Sequence, residues 1–148
     1  MEKKTVEEIR AFNRYYTGVI GLLDRHILNS AFSLPEARIL YELHQREGIL
    51  ASGIIEVLGI DKGYLSRILD QFAMKRLITR KRSNADGRLM HIYLTEKGKK
   101  EFDQLNRASD DQLKGMLEGL AEEDCDRLVL HMGEIRRILL KQEIKKNG

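Results

Sequence analysis

The spacing of hydrophobic residues near the start of the chain is that of an amphipathic α-helix. A stripe of apolar side chains runs from Val6 to Ile27 at steps of three and four residues, which places them on one helical face. Thr5 and Glu8 have the spacing of a capping box, in which each side chain satisfies a free backbone amide of the first turn. The pattern therefore predicts a long helix from about Thr5 to Leu28.

Three shorter helices, separated by turns that contain glycine, are predicted for the segment that follows. Ser33 and Glu36 form a second capping box at the start of the first of them. In the turn before the third, Gly59 can adopt a positive φ, and Asp61 can accept a hydrogen bond from an early amide of that helix. The predicted ranges are 33–48, 52–58 and 62–75. In the third helix, Leu65, Ile68, Leu69 and Phe72 have helical spacing, so we expect them to face the core.

The period then changes from that of a helix to that of β-strands. Segments 77–82 and 89–94 have strand length and strand composition, and the turn-forming residues of 83–88 lie between them, which predicts a two-stranded hairpin. Two amphipathic helices follow, one from Thr95 to about Gly119 and one to the C-terminus. The predicted fold class is mainly α with a small β-hairpin.

Composition narrows the class of protein. The chain has 148 residues, of which 42% are hydrophobic and 33% are charged, as is typical of a globular domain. Its single Cys excludes an internal disulfide, and its four His residues lack metal-ligand spacing, so we expect no metal or cofactor. It shows no apolar segment of membrane-spanning length, no apolar leader and no catalytic motif. We therefore expect a cytoplasmic protein that is not an enzyme.

Charge is distributed unevenly along the chain. The total is mild, with 26 Lys and Arg against 23 Asp and Glu. Residues 62–100, however, contain 11 basic and 3 acidic residues, whereas residues 101–134 contain 3 basic and 10 acidic ones. A basic part of the surface attracts a polyanion such as nucleic acid. The alternative is a pair of charged faces that only contact solvent.

Two helices joined by a tight turn and followed by a basic hairpin are the plan of a winged helix-turn-helix. The second helix of this plan enters the major groove of DNA by its N-terminal end, where Arg67 is the candidate for a bidentate guanine contact. At the hairpin tip, Arg88 is the candidate for the minor groove, and Asp86 can orient its guanidinium by a charge-assisted hydrogen bond. The candidate DNA-binding residues are Lys62, Tyr64, Ser66, Arg67, Arg80, Lys81, Arg82, Asp86 and Arg88.

Each of these candidates also has a purely structural interpretation. Arg67 can pair with Asp70 on the surface of the same helix. Asp86 can be a turn former, and the basic run 80–82 can protect the edge of the sheet. The order and spacing of the whole set, rather than any single residue, favours DNA binding.

Four short segments carry the most specific motifs: 58–67 (LGIDKGYLSR), 75–82 (KRLITRKR), 86–88 (DGR) and 94–98 (LTEKG). Together they resemble the MarR family of bacterial transcription regulators. The resemblance is specific through residues 51–98, and the flanking helices match the family in order and length. It implies an obligate homodimer on a pseudo-palindromic operator, and the apolar stripes near both termini, which need partners, also favour a dimer.

The resemblance assigns roles to individual positions. The family's Asp-x-Arg wing motif falls on Asp86 and Arg88, and its Ser-Arg pair in the recognition helix falls on residues 66–67. Two positions depart from the family pattern, because Arg76 stands where Gly is usual and Gly87 stands where Arg is usual.

The resemblance also implies how the chain is divided. It predicts a single domain, 1–148, in which 30–98 form the DNA-binding lobe and both 1–29 and 99–148 form the helical dimerisation region. The implied function is that of a repressor that responds to an effector.

The resemblance also implies an effector site. Members of the family bind small aromatic acids between the dimer helices and the DNA-binding lobe, and the candidate residues here are Arg14, Tyr15, Tyr16 and Tyr41. Segments 12–16 and 32–38 also resemble the regulator half of proteins that fuse this domain to an acetyltransferase, although the chain has no acetyl-coenzyme A loop. Two alternatives to a DNA-binding regulator remain: a winged helix that docks a protein, and the regulatory half of a split acetyltransferase system.

Overall fold

Six α-helices and three β-strands make up the part of the chain that the structure, a computed structural model, describes: residues 2–21 and 27–147. Contacts divide the chain into two compact units, residues 1–109 and 110–148. In chain order the elements are α1 (Lys3–Val19), a 3₁₀ turn (Ile27–Asn29), α2 (Leu34–Gln45), β1 (Ile49–Leu50), α3 (Ala51–Leu58), α4 (Lys62–Met74), β2 (Ile78–Arg82), β3 (Met90–Leu94), α5 (Glu96–Leu117) and α6 (Glu122–Asn147).

The sheet of the first unit has three antiparallel strands in the order β1-β3-β2. The predicted hairpin is confirmed as β2 and β3, whose register runs from Ile78 opposite Leu94 to Arg82 opposite Met90. Strand β1, which pairs Ile49 with Ile92, was not predicted. It has only two residues, too few to show a period in the sequence.

The core of the first unit lies between α2, α3, α4, the sheet and the start of α5. The predicted inward face of α4 is confirmed, since Leu65, Ile68, Leu69 and Phe72 are all buried. Phe72 is fully buried, and its ring meets that of Phe32 edge to face at 6.2 Å. A buried side chain of this size contributes about 1.5–3 kcal/mol, so this face holds α4 firmly against the sheet.

The start of α2 and the turn between α3 and α4 adopt the predicted geometry. Ser33 and Glu36 form the capping box of α2, with hydrogen bonds of 3.1 and 3.4 Å. Gly59 ends α3 at φ 63°, and the carboxylate of Asp61 accepts a hydrogen bond from the amide of Tyr64 at 3.0 Å. These contacts set where α4 begins and therefore which residues occupy its first turn.

The predicted first helix is wrong at both ends. Helix α1 begins at Lys3 after Glu2, so Thr5 lies inside the helix and caps nothing. The helix ends at Val19 rather than at Leu28, because Gly21 turns to φ 68° and Leu28 has a non-helical φ of 54°. Residues 22–26 of the predicted helix lie outside the described residues.

The start of α5 is attached to the start of the wing. The backbone amide of Thr95 donates to the carbonyl of Leu77 at 2.9 Å, and its hydroxyl donates to the carbonyl of Arg76 at 2.6 Å. The same hydroxyl accepts the amide of Gly98 at 3.0 Å. A side chain at Gly98 would overlap the carbonyl oxygen of Leu77, which explains why this position is glycine. Arg76 itself has φ 58°, a conformation that favours glycine.

The second unit consists of the end of α5 and the whole of α6. Gly119, at φ 86°, lies in the turn between the two helices, as predicted. Many large apolar side chains of α6 are exposed, among them Val129, Leu130, Ile135, Ile138, Leu139 and Ile144. Among the described residues, no helix is both long enough and apolar enough to cross a membrane.

Candidate nucleic-acid interface

The N-terminal end of α4 presents hydrogen-bonding side chains to solvent. Lys62, Ser66 and Arg67 are exposed, and 36% of Tyr64 is exposed, while Leu65 between them is buried in the core. The guanidinium of Arg67 lies 5.9 Å from the centre of the Tyr64 ring, close enough for a cation–π contact. The positive end of the helix dipole adds to the charge of this surface.

Asp70 pairs with a different arginine from the one that the sequence offered as an alternative. Its carboxylate accepts a hydrogen bond from the guanidinium of Arg80 in β2 at 3.0 Å. Within residues 2–21 and 27–147, Arg67 forms no ion pair, so its guanidinium is available at the end of α4.

The wing tip holds one arginine in an extended, exposed position. The side chain of Arg88 is 90% exposed, and its guanidinium donates to the carboxylate of Asp86 at 3.2 and 3.4 Å. The backbone amide of Arg88 donates to the same carboxylate at 3.0 Å. These side-chain and backbone hydrogen bonds lower the pKa of Asp86 below its usual 3.8, so the carboxylate is charged at neutral pH. The predicted contact between Asp86 and Arg88 is therefore confirmed.

The turn that carries this pair depends on a residue that the sequence did not single out. The hydroxyl of Ser83 accepts the backbone amides of Ala85 and Asp86 at 3.2 and 3.3 Å. Serine hydroxyls commonly close turns in this way, so the segment Ser83-Asn-Ala-Asp carried a signal for the contact. Ser83 thus fixes the backbone on which Asp86 orients Arg88.

The three cations of β2 all make contacts inside the lobe. Arg80 binds Asp70, as described above, and Lys81 lies 5.1 Å from the centre of the Tyr93 ring. Arg82 donates to the backbone carbonyl of Gly87 at 3.0 Å, which closes the wing from the other side. Lys81 and Arg82 are exposed, so they also add positive charge to this surface.

The helix end and strand β2 line one common cavity of about 340 Å³. Lys62, Ser66 and Arg80 contribute its polar groups, and Ile55 and Leu69 contribute to its apolar wall. The structure therefore brings the candidates of α4 close to Arg80, whereas Asp86 and Arg88 lie beyond β2 at the hairpin tip.

The four candidate effector residues do not form one site among the described residues. Arg14 and Tyr15 are exposed on α1, and Tyr16 stacks on Phe12 at 5.5 Å. Tyr41 lies on α2 with its ring 6.3 Å from that of Phe102 in α5. The described cavity near α5 is lined instead by residues 28–32 and by side chains of α5, and its volume is about 230 Å³.

The fold of this lobe also occurs in solved bacterial proteins. FabT of Streptococcus pneumoniae in complex with DNA is 18% identical to this chain and has a TM-score of 0.75. The structural match covers 95% of this chain and 99% of FabT. A mutant MarR from E. coli, complexed with operator DNA, is 18% identical at a TM-score of 0.69, with 89% and 95% covered. BpsR of Bordetella bronchiseptica, whose DNA binding is regulated by 6-hydroxynicotinic acid, is 14% identical at a TM-score of 0.68. The match covers 88% of this chain and 98% of BpsR.

At these identities the likeness of the structures shows a shared fold. The sequence gives the more specific result, because residues 32–90 match the model of the MarR family. That segment contains α2, α3, α4, β2 and the wing tip. Residues 32–90 of this chain are therefore similar to the MarR family, and the lobe that contains them has the fold of a winged helix-turn-helix.

Proposed function

We propose that this protein is a DNA-binding transcription regulator that reads the major groove with α4 and the minor groove with its wing. One observation carries the proposal: the exposed end of α4 and the exposed Arg88, oriented by Asp86, belong to the same basic lobe. The MarR-family model match to residues 32–90 supports it. Such a protein acts by binding rather than by catalysis, and we place it in the cytoplasm, where bacterial DNA lies.

Within this proposal, each candidate side chain has a distinct role. Arg67 donates to the acceptor edge of a guanine, and Lys62, Tyr64 and Ser66 contact phosphates or neighbouring base edges. Arg88 enters the minor groove, whose narrow segments have a strongly negative potential. The cations of β2 add to the positive field that draws the duplex to the lobe.

Binding to randomised DNA duplexes, followed by sequencing of the bound fraction, tests the proposal. We expect a two-fold symmetric consensus and an affinity that falls steeply with salt, because each neutralised phosphate releases counterions. Affinity that is weak and indifferent to salt would favour a winged helix that docks a protein.

A substitution at the helix end tests the assignment of α4. Arg67→Ala should weaken binding to the selected duplex by about 1–3 kcal/mol. Arg107→Ala is the matched control, since it removes an exposed arginine of α5 outside the interface. Unchanged affinity in the Arg67 variant would show that α4 is not the recognition helix.

We further propose that the protein acts as a homodimer through its terminal helices. No residue of α1 is buried, and Phe12 and Tyr15 of that helix are 49% and 71% exposed. In α6, Ile138 and Leu139 are 62% and 56% exposed. Faces this apolar are normally covered, and a two-fold dimer would place two α4 helices about one turn of DNA apart.

Sedimentation of the intact chain and of a double variant tests the dimer. Ile138→Glu with Leu139→Glu should yield monomers that bind a single half-site weakly. The control Lys141→Glu changes charge on the same exposed helix without removing an apolar group. A wild-type chain that sediments as a monomer at micromolar concentration would refute the dimer.

We also propose that an aromatic acid regulates the protein as an effector of a repressor. Because the described residues of one protomer do not bring these side chains together, the site would be completed in the dimer, where Arg14 would supply a cation for the carboxylate and Tyr15, Tyr16 and Tyr41 would supply aromatic surface. Because an effector acts only if it favours one spacing of the two α4 helices, its effect must appear in DNA affinity. Titration of the protein–DNA complex with 6-hydroxynicotinic acid should release the DNA, and Arg14→Ala should reduce that response.

A further inference from the structure

One ion pair joins the recognition helix to the wing. The guanidinium of Arg80 in β2 lies 3.0 Å from the carboxylate of Asp70 in α4. The other ion pairs recorded among the described residues connect positions within four residues of each other. Asp70 and Arg80 are therefore the only such pair in that part of the chain that links two different elements of the lobe.

Arg80 is less exposed than an arginine that is free to bind phosphate. Only 32% of its side chain is exposed, against 90% for Arg88 at the wing tip. It also helps to line the cavity whose apolar wall includes Ile55 and Leu69. Its aliphatic part is thus placed against the lobe, and its charged end is used by Asp70.

The carboxylate of Asp70 has no obvious role in binding a polyanion. It is 62% exposed on the outer face of α4, one turn beyond Ser66 and Arg67, where a negative charge repels phosphate. A carboxylate at this place is therefore an electrostatic disadvantage for DNA binding. The disadvantage is offset if the carboxylate fixes another part of the interface.

We propose that Arg80 is a positioning residue, which holds the wing at a set distance from α4 through Asp70 and does not itself bind phosphate. The inference rests on the proposed function, because holding the wing at one distance from α4 matters only for a ligand such as duplex DNA, whose two grooves have a fixed separation. Arg67 and Arg88 can enter adjacent grooves together only if α4 and β2 keep one relative position. If the wing were mobile, ordering it on the duplex would cost conformational entropy and weaken binding.

The variant Asp70→Asn separates this proposal from its main competitor by the sign of its effect. If Arg80 positions the wing, Asp70→Asn weakens DNA binding, by about two- to fivefold for an exposed ion pair. If Arg80 contacts phosphate, the same variant frees its guanidinium, removes a repulsive charge and tightens binding. Glu56→Gln is the matched control, because it removes an exposed carboxylate of α3 that has no ion-pair partner among the described residues. This control should leave affinity unchanged or slightly increased.

Two further measurements exclude a general loss of structure. Asp70→Glu, which keeps the charge, should restore most of the affinity. Arg80→Gln should weaken DNA binding as much as Asp70→Asn does, and the double variant should bind no more weakly than either single variant. In Arg80→Gln, the slope of log K against log salt concentration should be unchanged. A slope reduced by about one in Arg80→Gln, or tighter or unchanged binding by Asp70→Asn, overturns the proposal.

Hydrogen exchange of the free protein tests the pair without DNA. Asp70→Asn should speed exchange of the backbone amides of Ser83 and Leu89, whose hydrogen bonds close the wing, relative to Glu56→Gln. If the wild-type chain binds no duplex, the proposed function fails, and exchange alone then decides whether Arg80 positions the wing. Equal exchange in the two variants would refute positioning.

Discussion

Gly98 is the position where a single methyl group should most disturb the winged-helix lobe. A Cβ at Gly98 would overlap the carbonyl oxygen of Leu77 and lie 3.0 Å from its carbonyl carbon and 3.2 Å from a methyl of Leu94. Because the nearest atoms are backbone, they cannot rotate away as a flexible side chain would. The start of α5 must therefore move off β2, and the hydrogen bond from Thr95 to Leu77 must lengthen or break.

The expected cost follows from these contacts. Overpacking costs about 1–3 kcal/mol and a lost hydrogen bond about 1 kcal/mol, while the higher helix propensity of alanine returns up to about 1 kcal/mol. We therefore expect Gly98→Ala to lower the free energy of unfolding by about 2 kcal/mol. In a chain of this length that corresponds to a fall in Tm of about 5 °C.

The matched control lies in the same helix. A Cβ at Gly115 of α5 has no atom within 4 Å, so Gly115→Ala should keep or raise stability, by up to about 1 kcal/mol. Urea unfolding followed by circular dichroism measures both variants, at one protein concentration because the stability of the proposed dimer would depend on concentration. If Gly98→Ala is as stable as Gly115→Ala, the close approach of α5 to Leu77 is not a real constraint.

Three further predictions concern single positions in the lobe. Arg76→Gly should raise the free energy of unfolding in urea by about 1 kcal/mol, because glycine adopts φ 58° without strain; a loss of stability would contradict this. Ser33→Ala should cost about 1 kcal/mol through loss of the α2 cap, against at most about 0.5 kcal/mol for the exposed Ser52→Ala, and equal losses would argue against the cap. NMR titration should give Asp86 a pKa below 3.8 that rises toward 3.8 in Arg88→Gln, and an unshifted Asp86 would refute the pairing. Because the folded-state pKa is the lower one, the stabilising effect of the pair is complete above pH 3.8 and is lost as the pH falls through the folded-state pKa.

The sequence predicted those elements whose cause is local. Ser33, Gly59 and Asp61 act within a few residues of themselves, so the start of α2, the end of α3 and the start of α4 could be predicted; the end of α2, expected at Gly48, lies at Gln45. The inward face of α4 followed from helical period alone, because its apolar residues have one neighbouring core to enter. In these segments local preference and tertiary packing agree.

The features that the sequence did not predict depend on contacts between distant residues. Strand β1 exists only because Ile49 meets Ile92, and the partner of Asp70 is Arg80 in another element rather than Arg67 one turn away. The end of α1 depended on the φ adopted by Gly21, whereas Gly18 lies inside the helix. Periodicity does not distinguish such glycines.

Strand β3 lies between β1 and β2 and connects α3 to the wing through hydrogen bonds. Strand β1 leads directly into α3, β2 continues to the wing tip, and both are hydrogen-bonded to β3 between them. A displacement of α3 would therefore reach the base of the hairpin across two ladders of hydrogen bonds. If the lobe binds DNA as proposed, a signal that moves α3 without melting the sheet would also move the base of the wing, and the contacts in both grooves would change together.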